Sequence, residues 1–110
     1  MKLPSGGRAL VPHEKVERYL LDPEHPEGGD KALFFHRMGY DPARPADLIS
    51  DLRRIAREGS LAETIRTEHG TKHIVDGVVS TPDGRRIELR TVWIVEPGSR
   101  RPRLVTAYPQ

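Results

Sequence analysis

The last third of the chain, from Thr71 to Tyr108, leaves the least freedom to any fold. It carries three runs rich in β-branched residues: Thr71 to Val79, Ile87 to Val95, and Leu104 to Tyr108. Pro82-Asp83-Gly84 separates the first two and Pro97-Gly98 the last two. Such punctuation predicts consecutive antiparallel strands in a meander. Side chains alternate faces along a strand, so Ile87, Leu89, Thr91, Trp93 and Val95 form the candidate core face of the middle run. Arg90 then projects from the opposite face. On the last run Leu104, Thr106 and Tyr108 share a face, with Val105 and Ala107 on the other. If Val105 and Ala107 turn inward, Thr106 and Tyr108 share a surface with Arg90. A cation, a hydroxyl and a phenol on one sheet face make a candidate anion site.

Ahead of the strands the pattern changes to helical spacing. Pro12 suits the first turn of a helix, and Val16, Tyr19 and Leu20 follow as an apolar stripe. The run Asp22 to Gly29, with two prolines and two glycines, ends it. Asp30 is a candidate N-cap for a second helix, Lys31 to Met38, stopped by Gly39. A third runs from Ala46 to Glu58 with Leu48, Leu52, Ile55 and Ala56 inward. Leu61 to Glu68 completes the sheet as a first strand, with Leu61, Glu63, Ile65 and Thr67 on one side. Helices before strands predict an α+β fold: N-terminal helices packed on one face of a four-stranded antiparallel β-meander. At 110 residues the chain forms one domain, helical over about 12–58 and sheet over about 61–109.

Composition narrows the chemistry. With no cysteine, a disulfide framework, a thiolate metal site and a cysteine nucleophile are excluded. Of the five histidines, His69 and His73 stand four apart but straddle a predicted turn and have no apparent third ligand, so no metal is expected, and no cofactor fingerprint occurs. No apolar run approaches the roughly 20 residues of a membrane span, and the N-terminus lacks a secretory h-region. These features predict a soluble cytoplasmic protein. The net charge is +2, but the sheet half is the more basic, with Lys72, Arg85, Arg86, Arg90, Arg100, Arg101 and Arg103 against Asp76, Asp83, Glu88 and Glu96. Guanidinium forks suit phosphate oxygens. Lys31, in the first turn of its helix, opposes the helix dipole and adds an ammonium where an anion would sit. His73 and His36 are acid–base candidates by residue type. Asp76 and Glu88 are candidate neighbours on adjacent strands.

Four stretches carry a family resemblance. They are Tyr19-Leu20-Leu21-Asp22-Pro23-Glu24-His25-Pro26 with Gly28; Lys31-Ala32 and Phe34-Phe35 with Gly39-Tyr40; Gly70-Thr71-Lys72 with Val75 and Gly77; and Arg90-Thr91-Val92-Trp93 with Pro102 to Pro109. Together they resemble a bacterial family of small domains of unknown function, found alone and at the C-termini of polymorphic toxins and phage head proteins. The layout in turn looks like the barnase–EndoU–colicin–RelE group of metal-independent RNases. That resemblance implies RNA cleavage by attack of the 2′-hydroxyl. It assigns phosphate clamping to Arg90, added positive charge to Lys31, placement of a phosphate oxygen to Thr106 and proton donation to Tyr108. The remaining acid–base role falls to His73 or Lys72, and Thr71, Lys72 and Arg103 would bind substrate. The expected partners are RNA and a cognate immunity or antitoxin-like protein. The alternative is a non-catalytic module that binds protein or nucleic acid, one half of a toxin–antitoxin-like pair.

Overall fold

A computed structural model describes residues 1–27 and 29–110. Gly28, one of the glycines in the predicted helix break, lies outside the described residues. After a 3₁₀ turn (Gly6–Arg8), helix α1 (His13–Lys15) runs directly into a π-helical turn (Val16–Leu20), closed by the Leu21 amide donating to the Val16 carbonyl at 2.8 Å. Helix α2 (Gly29–Arg37) starts one residue before the expected Asp30 cap. Helix α3 (Pro45–Glu58) opens on its proline, where a missing N–H costs nothing. Strands β1 (Ser60–Thr67), β2 (Gly70–Ser80), β3 (Arg86–Val95) and β4 (Arg103–Pro109) form one antiparallel sheet in the order β1-β2-β3-β4. The predicted meander and the α+β class are both present.

The helices cover one sheet face. Leu48, Leu52, Ile55 and Ala56 of α3 pack with Val16, Leu20 and Phe35 against Val75, Val79, Leu89, Trp93, Leu104 and Ala107. The inner face of β3 is the predicted one, with Leu89, Thr91 and Trp93 fully buried. Polar groups inside are satisfied: the Trp93 indole donates to Thr91 Oγ1 at 2.7 Å, and that hydroxyl donates to the Val75 carbonyl at 2.7 Å. The Tyr40 hydroxyl donates to Asp51 at 2.6 Å and ties the α2–α3 connection to α3. Beside that carboxylate, burial and the hydrogen bond push the phenol's pKa well above its usual value.

Two bulges correct the simple alternation. Strand β1 shifts register between Leu61 and Glu63, so Leu61 pairs with Val75 on the inner face while Glu63 pairs with Ile74 on the outer one. They do not share a side. In β4 the extra residue is Val105, because Thr106 pairs with Val92 but Leu104 pairs with Trp93. Leu104 therefore enters the core with Ala107 instead of joining Thr106, and Val105 stays half-exposed. The bulge lets both large apolar demands of the core be met while Thr106 and Tyr108 keep facing outward.

The N-terminal segment is tied to this frame. Its Leu10 bridges the start of β4, with Leu10 N–H to Pro102 O at 2.8 Å and Leu104 N–H to Leu10 O at 3.0 Å. Gly6 sits so close to α3 that a Cβ there would lie 2.0 Å from the Ala56 carbonyl oxygen. Backbone cannot yield as a side chain can. Gly6→Ala is thus expected to displace the 3₁₀ turn and destabilise the protein by about 1–3 kcal/mol, read from the urea midpoint at unchanged slope.

Candidate functional site

Strand register decides which side chains meet on the outer face. Arg90 of β3 lies directly between Asp76 of β2 and Tyr108 of β4, and in the next outward-facing row Val92 lies between Ile74 and Thr106. Arg90, Thr106 and Tyr108 therefore occupy one face, toward the β4 edge. Helix α2 brings Lys31 around that edge. Its Nζ donates to Tyr19 Oη at 2.9 Å and to Thr106 Oγ1 at 3.0 Å. The same ammonium lies 5.3 Å from the Tyr19 ring centre and 5.8 Å from that of Tyr108. An ammonium has three N–H donors, so two are engaged here and one remains.

Tyr19 is the residue that sequence reasoning left out of the site, having assigned it to the apolar stripe of the first helix. It comes from the π-helical turn, and its hydroxyl lies 3.4 Å from Thr106 Oγ1 as well. The His25 ring meets it edge-on at 4.9 Å between centres. Burial raises the Tyr19 phenol's pKa, but the hydrogen bonds from Lys31 and Thr106 and the charges of Lys31 and Lys15 outweigh it, leaving the phenol below its usual value. The available signal was Tyr19's place at the head of the Tyr19-to-Pro26 motif. In an absorbance titration Tyr19 is expected to ionise before Tyr40, and Lys31→Met is expected to return it upward. Because the folded value lies below the unfolded one, this ionisation adds stability only as pH rises through the folded value. At neutral pH it adds none.

Arg90 has a partner that the sequence reading did not give it. Its Nε and one terminal nitrogen donate to the two Asp76 carboxylate oxygens, each at 2.8 Å. The hydrogen bond from Arg90 holds the Asp76 carboxyl below the usual carboxylate range, and Gln110 also donates to it at 3.2 Å. Arg90 is held correspondingly above its usual value. Counting outward from the Pro82-Gly84 turn would have paired the two residues. Asp76 and Glu88 do line one pocket as neighbours on adjacent strands, but in register Asp76 pairs with Arg90 and Glu88 with Val78. A bidentate pair engages two of the guanidinium's donors and offsets its charge, so Arg90 is a fixed neighbour of Tyr108 in register more than an empty phosphate clamp.

The other expected residues disperse. His73 pairs in register with Trp93 on the inner face, is buried, and meets Thr64 Oγ1 through Nδ1 at 2.9 Å. Burial holds its imidazole pKa below the usual value. Thr71 lies on that same inner face opposite Val95. Neither can reach the Lys31 cluster through the sheet. Lys72 is on the outer face, in the row that runs from Ile65 through Ile94 to Arg103, and Arg103 is bonded to Glu96 at 2.7 Å. His36 bonds the Leu21 carbonyl at 2.9 Å and serves as a tie between α2 and the π turn.

Beside the Lys31 cluster runs an open groove between α1 and β4, lined by Lys15, Arg18, Tyr19, His25, Arg103 and Thr106 among others. Among the described residues no helix is long and apolar enough to cross a membrane.

The chain is thus a helix-covered antiparallel meander with a phenol-bearing groove of mixed charge at its β4 edge, where Glu14 and Glu27 line the walls with Lys15, Arg18 and Arg103. The fold is similar to a chain of the contact-dependent growth inhibition toxin–immunity protein complex from Klebsiella pneumoniae 342, at a TM-score of 0.72 and 17% identity over 96% of each chain. Identity that low establishes a shared fold and nothing further. The chain belongs to the family described as "Domain of unknown function (DUF6883)", whose model matches residues 2–110. No curated protein matches the sequence.

Proposed function

We propose that the protein is a toxin-like, metal-independent endoribonuclease whose site is the Lys31–Tyr19–Thr106–Tyr108 cluster. One observation carries the reading: a single ammonium bonded at once to a phenol and a threonine hydroxyl, with the ring centre of a second phenol 5.8 Å away. Cleaving RNA by transesterification requires a base for the 2′-hydroxyl, donors for the charge on the pentacoordinate phosphorus, and an acid for the departing 5′-oxygen. Tyr19, whose ionised form Lys31 favours, takes the 2′-hydroxyl proton as the 2′-oxygen bonds to phosphorus. The third Lys31 N–H and the Thr106 hydroxyl donate to the non-bridging oxygens. Tyr108 protonates the 5′-oxygen as the P–O5′ bond breaks, leaving a 2′,3′-cyclic phosphate and a 5′-hydroxyl. Tyr19 thus takes the role expected of His73 or Lys72, and Arg90 with Asp76 positions the Tyr108 side. The rate rises with pH as Tyr19 ionises. The likeness to a chain of a toxin–immunity complex supports a toxin-related role and a cognate partner protein.

The test is incubation of the purified protein with tRNA and total RNA in EDTA, with the product ends mapped. Cyclic phosphate ends in wild type and their loss in Lys31→Met are expected.

A second reading, a non-catalytic module that binds a partner protein, is favoured by apolar groups on the outer face: Ile65 is 39% and Val78 42% exposed. No cleavage across a broad RNA panel, combined with a tight complex insensitive to Lys31→Met, would select it.

A further inference from the structure

A second basic site lies away from the Lys31 cluster. Arg8, Arg53, Arg57 and Arg101 line a concave pocket with Gly6, Gly7 and Ala9, and no carboxylate is among its lining residues. Arg54 pairs with Asp51 at 3.3 Å, Arg90 with Asp76 at 2.8 Å and Arg103 with Glu96 at 2.7 Å. Among the described residues Arg8, Arg53, Arg57 and Arg101 form no ion pair. Lack of an ion pair is common among the arginines of the described residues, since Arg18, Arg37, Arg44, Arg66, Arg86 and Arg100 form none either; what sets these four apart is that they gather in one pocket. Four guanidinium groups held together without countercharge repel one another, and folding alone gives no reason to gather them. The pocket is nevertheless fixed in shape. Gly6 is pinned against α3, and Arg101 Nε donates to the Arg8 carbonyl at 2.7 Å.

The lining selects the kind of ligand. It holds no aromatic and no large aliphatic side chain, so it lacks the buried anchor around which protein interfaces concentrate affinity. Guanidinium forks and exposed backbone suit a hard, oxygen-rich anion, and phosphate fits their geometry. The pocket also adjoins the groove. Arg101 lines the pocket and Arg103 lines the groove, with only Pro102 between them. Two residues of extended chain separate them by about 7 Å at most. A nucleic-acid strand carries one phosphate charge per nucleotide, so a short stretch of strand covers that step.

We infer that the Arg8–Arg53–Arg57–Arg101 pocket is a phosphate-backbone subsite that seats the RNA strand beyond the nucleotides held in the Tyr19–Thr106 groove. The inference rests on the RNA-cleaving reading for the second half of that statement only, because backbone binding is measurable without cleavage.

The experiment measures binding of a fluorescein-labelled 20-nucleotide RNA to Lys31→Met protein across a salt series, with and without Arg53→Gln and Arg57→Gln. Both arginines are exposed on α3, so the double variant is expected to fold, which circular dichroism checks. Loss of two phosphate contacts makes the slope of log affinity against log salt shallower by about 1.4. In the otherwise wild-type protein the same double variant raises KM for RNA about tenfold and leaves kcat unchanged, as loss of uniform binding requires. An unchanged slope overturns the inference even if cleavage is robust. A shallower slope in a protein that never cleaves RNA keeps the subsite and removes the enzymatic reading. If poly-glutamate of equal charge binds the pocket more tightly than RNA, and loses that binding in the double variant, the pocket belongs to an acidic protein partner and the inference fails.

Discussion

Lys31→Met is expected to lower the kcat for RNA cleavage by about 10²–10³, the loss that follows removal of one preorganised donor to a developing oxyanion. Methionine keeps an unbranched stem of similar length and removes the charge, so packing is largely retained. Three consequences of the ammonium disappear together. Tyr19 loses the bond that favours its ionised form, Thr106 loses its positioning contact, and the phosphorus centre loses a cationic donor. The change therefore falls on kcat more than on KM, and the pH dependence moves to higher pH with the Tyr19 phenol. A purely structural lysine would behave otherwise: its loss would lower the urea midpoint and leave the pH profile of the remaining activity where it was. Lys31→Arg restores charge without the compact three-donor geometry and is expected to recover only part of the rate.

Trp93→Ala is expected to destabilise the protein by about 3–5 kcal/mol, a large part of the roughly 5–15 kcal/mol that holds a typical domain together. Trp93 is fully buried near the C-terminal end of β3, an interior strand paired on both sides, and it packs in the core beneath the helices. Its removal empties the largest volume in the core. It also removes the donor that the buried Thr91 hydroxyl accepts, although Thr91 keeps its own bond to Val75. Trp93→Phe retains most of the apolar volume and is expected to cost less. Because Trp93 is the sole tryptophan, unfolding is followed by far-ultraviolet circular dichroism and not by indole fluorescence. A loss below about 1 kcal/mol for the alanine variant, well under the range for an emptied aromatic site, would contradict the packing described.

The candidate site was legible in uneven measure. Parity along β3 and β4 put Arg90 with Thr106 and Tyr108 on the condition that Val105 and Ala107 turn inward; Ala107 does, but the bulge leaves Val105 half-exposed and sends Leu104 into the core in its place. The partner of Arg90 was legible too, had the pairing been counted out from the turn to Asp76. His73 illustrates the opposite error. Its residue type suggested proton transfer, but its parity with Val75 places it on the helix side, where burial keeps it neutral. Tyr19 does pack against the core as its place on the stripe predicts, but its hydroxyl was overlooked because i, i+3, i+4 spacing treats a tyrosine as apolar body alone. The phenol can lie at the rim of the core and present its oxygen outward. A π turn further shifts which side chains face which way, and no spacing rule for an α-helix anticipates it.

From its sequence alone this chain specified three helical stretches, a four-stranded meander, the inner face of the central strand and the absence of any thiol chemistry. All of these follow from local rules: turn residues, period-two alternation and residue inventory. Tertiary structure alone decided that Lys31 would reach across the β4 edge to join Tyr19 and Thr106. It likewise decided that Arg8, Arg53, Arg57 and Arg101 would share one pocket. The first joins Lys31 to Thr106 across 75 positions and the second Arg8 to Arg101 across 93, and both depend on how α2, α3 and the N-terminal turn dock. Docking is set by the volumes of many buried side chains acting together, a quantity that no short stretch of sequence contains.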